Sequence, residues 1–122
     1  MDQIKSVLLI EDDEITNFIS QRIFSKLGIS NVIIATNGKE AIEKVEKHSP
    51  DLILLDLCMP VMDGFEFLAE KKNKKLSPGA KVVILTSSIR QEDKVAAKNW
   101  SDIIGFLEKP LTAEKIKELF RS

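Results

Sequence analysis

Pro50-Asp51-Leu52-Ile53-Leu54-Leu55-Asp56-Leu57-Cys58-Met59-Pro60-Val61-Met62-Asp63-Gly64 is the stretch on which the fold turns. The run Leu52 to Leu55 is short and wholly apolar, the pattern of a strand buried on both faces. It ends on a carboxylate, Asp56, which costs stability at a buried strand tip unless something pairs with it or ligates it. The chain then breaks into a Met-Pro loop that Pro60 is expected to stiffen. Asp63-Gly64 predicts a closing turn with a positive φ at Gly64.

On either side of this strand, apolar runs alternate with segments of helical period. Ser6 to Ile10 reads as a first strand, and Ile15, Phe18, Ile19 and Ile23 fall on one helical stripe that ends near Leu27-Gly28, with Gly28 as a left-handed cap. Val32 to Ala35 gives a second strand. Asn37 and Glu40 have the spacing of a capping box, and Ala41, Ile42 and Val45 supply a buried helix face. Past the opening stretch, a helix starts at Phe65, a strand covers Lys81 to Leu85, a helix Arg90 to Asn99 and a strand Ile103 to Leu107. Thr112 is placed to cap a last helix, on which Ile116, Leu119 and Phe120 share a face. Strand and helix alternate five times, which predicts an α/β fold: a doubly wound, five-stranded parallel sheet with right-handed crossovers and helices on both sides.

The 122 residues suit one domain, expected to span residues 1–122. Lys plus Arg number 18 and Asp plus Glu 19, a net charge of −1, so the basic excess of a nucleic-acid-binding domain is absent. Cys58 is the single cysteine, which excludes an internal disulfide. Nothing basic adjoins it in sequence to lower its pKa, so a redox role is not expected. No basic segment leads into a long apolar one at the N-terminus, and apolar runs stop at four residues against the ~20 of a membrane span. A cytoplasmic protein without membrane insertion is the expectation. The lysine-rich run from Lys71 reads as a solvated helix end, diluted by Glu66 and Glu70. His48, the only histidine, sits where it favours a helix C-terminus, and Met59 and Met62 read as packing around the loop.

In such folds the functional site lies outside the carboxyl ends of the strands. Those ends carry Glu11-Asp12-Asp13-Glu14, Asp56, Thr86-Ser87-Ser88 and Lys109-Pro110. Asp12, Asp13 and Asp56 together would bring three carboxylates close, each pair repelling by on the order of 4 kcal/mol at ~4 Å and an effective dielectric of ~20. One lysine cannot neutralise three, whereas a divalent cation can, and an all-oxygen site suits Mg²⁺. The simpler alternative is that Asp12 and Asp13 only cap the first helix. That alternative leaves Asp56, Thr86 and Lys109 unexplained. A carboxylate beside Mg²⁺ and a lysine is arranged to attack a phosphoryl group and form an acyl phosphate, with the threonine hydroxyl donating to the transferred group.

The combination E-D-D, L-L-D-L-x-M-P-x-M-D-G, L-T-S-S and F-L-x-K-P, in this order, resembles bacterial response-regulator receiver domains of the chemotaxis-regulator type across essentially the whole chain. The resemblance implies a stand-alone receiver with no output domain, a flavodoxin-like three-layer sandwich and strand order 2-1-3-4-5. It implies that Asp56 accepts phosphate from a sensor histidine kinase or a histidine phosphotransfer protein. Asp13 would ligate Mg²⁺ directly, Asp12 through water, with Asp56 and the backbone carbonyl of Cys58 completing the metal set. Thr86 and Lys109 would meet the phosphoryl group, and Phe106 would be the rotating aromatic that couples phosphorylation to the face of helix four, strand five and helix five. A cis Lys109-Pro110 bond is also implied. The output would go to a downstream protein whose identity is unknown, from a monomer or weak dimer that catalyses only its own phosphorylation and dephosphorylation.

Three departures stand out. Phe106 takes the place of the commoner tyrosine, Trp100-Ser101-Asp102-Ile103 replaces a frequent Gly-Ala pair, and Cys58 and Ser88 occupy positions that tune phosphate lifetime. Trp100 is read first as core packing and second as a partner anchor. Two other functions compete. A degenerate receiver used as a phosphorylation-independent interaction module would lack one of the acidic, threonine or lysine positions, and all are present. A phosphatase on this fold would want a second aspartate where Cys58 stands, and a flavin carrier would not place Glu11 to Glu14 at its phosphate loop.

Overall fold

A computed structural model of the chain describes residues 3–59 and 61–121, so the expectation for Pro60 lies outside the described residues. The elements alternate as expected: β1 (Ser6–Ile10), α1 (Glu14–Lys26), β2 (Asn31–Ala35), α2 (Gly38–His48), β3 (Leu52–Leu55), α3 (Gly64–Asn73), β4 (Lys81–Thr86), α4 (Gln91–Ala97), β5 (Ile103–Glu108) and α5 (Ala113–Phe120). The strands form one parallel sheet in the order β2-β1-β3-β4-β5. β3 sits at its centre and is buried along its whole length.

Side chains alternate across each strand, so the sheet builds two cores. Leu8, Ile10, Ile53, Leu55, Val82 and Ile84 point to the side covered by α2 and α3, where Ala41, Ile42, Val45, Phe67 and Leu68 meet them. Val7, Leu9, Leu52, Leu54, Val83 and Leu85 point to the other side and pack on Phe24 of α1 and Ile116 of α5. No helix among the described residues is long and apolar enough to cross a membrane.

Local chemistry fixes the helix ends. Asn37 caps α2 by accepting from the Glu40 amide at 2.8 Å, while the Glu40 carboxylate turns to Thr36 instead of closing the box. Asp63 and Glu66 form a full capping box on α3. Thr112 caps α5 by accepting from the Lys115 amide at 3.2 Å. Gly28 follows α1 at φ +87, as its position predicts.

Two expectations are corrected. Of the α1 stripe only Ile23 packs on the core: Ile15 is 70% and Phe18 60% exposed, Ile19 is exposed too, and the buried residues are Asn17, Ser20 and Phe24. The helix is rotated because Asn17 donates its side-chain amide to the Glu11 carbonyl at 2.9 Å, anchoring a polar residue inside. Gly64 does not take a positive φ; the left-handed residue of the loop is Val61, at φ 72. Gly64 is the first residue of α3 and is needed for closeness, since a Cβ there would lie 2.8 Å from Leu57 Cδ2 and 3.0 Å from Leu57 Cα.

Candidate functional site

The register of the sheet sets which strand-end residues share a level. Ile10 pairs with Leu55, so the next residues, Glu11 and Asp56, emerge side by side. The Asp56 amide donates to the Ile10 carbonyl at 3.0 Å and the Glu11 amide to the Ala35 carbonyl at 2.9 Å, which holds both backbones in the sheet. Glu11, Asp12 and Asp56 bring one carboxylate oxygen each within 4.8 Å of one another.

Lys109 reaches into this cluster from the end of β5, where its amide donates to the Thr86 carbonyl at 2.7 Å and its bond to Pro110 is cis. Its ammonium makes a close ion pair with Glu11 and lies 3.7 Å from Asp56 Oδ2. The other Asp56 oxygen accepts from the Cys58 amide at 3.1 Å. A cavity of about 400 Å³ opens over Asp12, Asp56, Thr86, Arg90 and Lys109.

Electrostatics match this crowding. Burial pushes the Glu11 carboxyl up; Lys109 pulls it back and the neighbouring Asp56 charge raises it again, for a value of about 7. Burial works against the Lys109 charge, but the Glu11 hydrogen bond and the charges of Asp56, Glu11 and Asp13 outweigh it, so its pKa rises.

Asp56, Asp12 and Lys109 therefore meet as expected, and Asp13 does not join the carboxylate cluster. Its side chain accepts from Thr16 Oγ1 at 2.6 Å and from the Ile15 amide at 3.3 Å, which caps α1 and lowers its pKa. The third acid within 4.8 Å of Asp12 and Asp56 is Glu11, which the sequence pattern does not single out, while Asp13 lines the same cavity from its position at the start of α1. A signal was available: the residue one past each strand end is the one that shares the level of Asp56. Thr86 is buried, and its hydroxyl donates to the Ser88 carbonyl at 3.2 Å. Phe106 is partly buried against the α2–α3 core. Arg90, which the sequence marks only as the start of a helix, lines the cavity, bonded to Asp93 at 3.1 Å through Nε, and that bond raises its pKa.

An acidic cluster crossed by one lysine, at the carboxyl edge of a 2-1-3-4-5 sheet, defines a class that comparison with known proteins makes explicit. The family model of the response regulator receiver domain matches residues 7–121, and the chain belongs to that family. It is 32% identical over 112 residues to the chemotaxis protein CheY of Bacillus subtilis, covering 92% of this chain and 91% of that one. It is also 33% identical over 117 residues to the autoinducer 1 sensor kinase/phosphatase LuxN of Vibrio campbellii, covering 96% of this chain but only 13% of that protein. Among solved structures, chemotaxis protein CheY4 of Vibrio cholerae superposes with a TM-score of 0.84 at 28% identity over 94% of each chain.

Proposed function

We propose that the chain is the phosphoacceptor of a two-component phosphorelay and that Asp56 is the residue phosphorylated. The observation that carries this reading is the placement of Asp56 at the tip of the central strand, between an acidic pair and Lys109. A carboxylate oxygen of Asp56 attacks phosphorus, the nitrogen–phosphorus bond of a donor phosphohistidine breaks, and the imidazole leaves with the electron pair. Hydrolysis of the resulting acyl phosphate returns the carboxylate and inorganic phosphate, so the chain acts only on itself.

The donor set fits Mg²⁺. Every candidate ligand is oxygen, and three carboxylates face a single ammonium, which leaves negative charge for a hard dication to offset. Glu11, Asp12, Asp56 and the Cys58 carbonyl would hold the ion, which when bound supplies positive charge for the phosphoryl oxygens. Lys109 holds the opposite side of the transferred group. The Thr86 hydroxyl would leave the Ser88 carbonyl to donate to the phosphoryl oxygen, and Phe106, sharing β5 with Lys109, would carry that change to the α4–β5–α5 face.

A protein donor is supported by the surface beside the site. Ile15, Phe18 and Ile19 are exposed on α1, and Ile19 shares a cavity of about 330 Å³ with Lys109 and Pro110. Apolar side chains bordering a phosphoacceptor suit a kinase or phosphotransfer domain. The location inferred from this partner is the cytoplasm.

The test is incubation of the intact protein with acetyl phosphate and Mg²⁺, followed by intact-mass measurement. Addition of one phosphoryl group, lost with a chelator and in Asp56→Asn, is the expected result. Wild-type protein that gains no mass would overturn the reading.

A further inference from the structure

Two features remain unused by the phosphoacceptor site: the lysine-rich end of α3 and Trp100. They meet at the other edge of the sheet, beside the amino ends of β4 and β5, in a cavity of about 360 Å³. That volume falls in the range of small-molecule sites, about 300–1,000 Å³.

Lys71 belongs to the cavity lining and is only 3% exposed, contrary to the solvated run expected there. Its ammonium lies 3.2 Å from Asp102 Oδ2, its one acceptor among the described residues. An ammonium has three donors. Its remaining donors have no acceptor among the described residues, and because Lys71 lines the cavity they are available to oxygens of a bound anion.

The charge around Lys71 points the same way. Lys72 and Lys75 also line the cavity, and among the described residues neither has a carboxylate within 4.0 Å. The neighbouring Lys74, which is not in the lining, is instead flanked by Glu46 and Glu70 at 3.9 Å each. Three ammonium groups against the single carboxylate of Asp102 concentrate positive potential in a concave site. The apolar wall is Trp100, partly buried against the α2–α3 core, with Lys72 Nζ 5.7 Å from its ring centroid. Lys75 is presented by the left-handed end of α3, at φ 56, closed by the Leu76 amide donating to the Lys71 carbonyl at 3.0 Å.

We propose that this cavity binds a small phosphorylated molecule with a planar ring, a nucleoside phosphate. The phosphate would be held by Lys71, Lys72 and Lys75, and the ring would lie along Trp100. This site is independent of phosphorylation at Asp56.

Trp100 is the only tryptophan of the chain, so its emission reports on the cavity directly. The experiment titrates the full chain with guanosine 5′-monophosphate, followed by tryptophan fluorescence and calorimetry, with guanosine and inorganic phosphate as separate arms. The expected result is saturable binding with a Kd below about 1 mM, weakened at least ~10-fold in the double variant Lys72→Ala, Lys75→Ala and by omission of either half of the ligand. Lys72 and Lys75 are exposed, so the variant keeps its fold, which circular dichroism checks. No saturable response up to about 10 mM overturns the proposal. Equal affinity in the double variant, or inorganic phosphate binding as tightly as the nucleotide, overturns it as well.

Discussion

Glu11 lies one position past the end of β1, 4% exposed, with one carboxylate oxygen on Lys109 and the other accepting from the Asp13 amide at 3.2 Å. Its pKa of about 7 in the fold means that the folded protein holds a proton that the unfolded chain has released between about 4.5 and 7. Stability from this group is therefore full below about pH 4.5 and is lost as pH rises through about 7. In metal-free buffer, urea unfolding midpoints should fall across that window, and Glu11→Gln should flatten the fall by on the order of 1–3 kcal/mol. An unchanged slope in Glu11→Gln would assign the pH dependence elsewhere. Glu11 was also the least legible residue of the site. Four acids in a row, Glu11 to Glu14, offer several pairs, and only the register of β1 against β3 selects Glu11 and Asp12 over Asp13.

At the scale of elements, α1 shows where periodicity misleads. Ile15, Phe18 and Ile19 have helical spacing, yet the buried Asn17, fixed by its bond to the Glu11 carbonyl, turns that stripe outward. Hydrophobic pattern reports which residues share a face and is silent on a tertiary hydrogen bond that reorients it. Phe24→Ala should cost about 3–5 kcal/mol, whereas Phe18→Ala should stay within about 0.5 kcal/mol, as thermal denaturation of the two variants would show. Comparable losses would restore the stripe to the core. The α3 start makes a second case. A methyl group at Gly64 meets Leu57, the residue after Asp56, so Gly64→Ala should destabilise the protein by about 1–3 kcal/mol and slow phosphorylation by acetyl phosphate. Wild-type rates and stability in that variant would show that the contact yields freely.

For the whole molecule, the alternation of short apolar runs and helical segments made the five βα units legible, because a fully buried central strand has few other readings. Strand order came with the family resemblance; nothing in the local pattern separates 2-1-3-4-5 from other doubly wound orders. The lysine run at the end of α3 hides its buried member for a related reason: the carboxylate paired with Lys71 is that of Asp102, 31 residues away. The architecture brings Asp56 and Lys109 together from β3 and β5, with β4 between them, so the proposed phosphoacceptor chemistry would belong to the assembled sheet and to no single segment. The most direct measurement is to phosphorylate the protein, reduce it with borohydride and map the peptides. An acyl phosphate on Asp56 predicts reductive label at residue 56 alone, sensitive to alkali before reduction. Label at Asp12 or Asp13, or an alkali-stable phosphate on a hydroxyl side chain, would contradict the account.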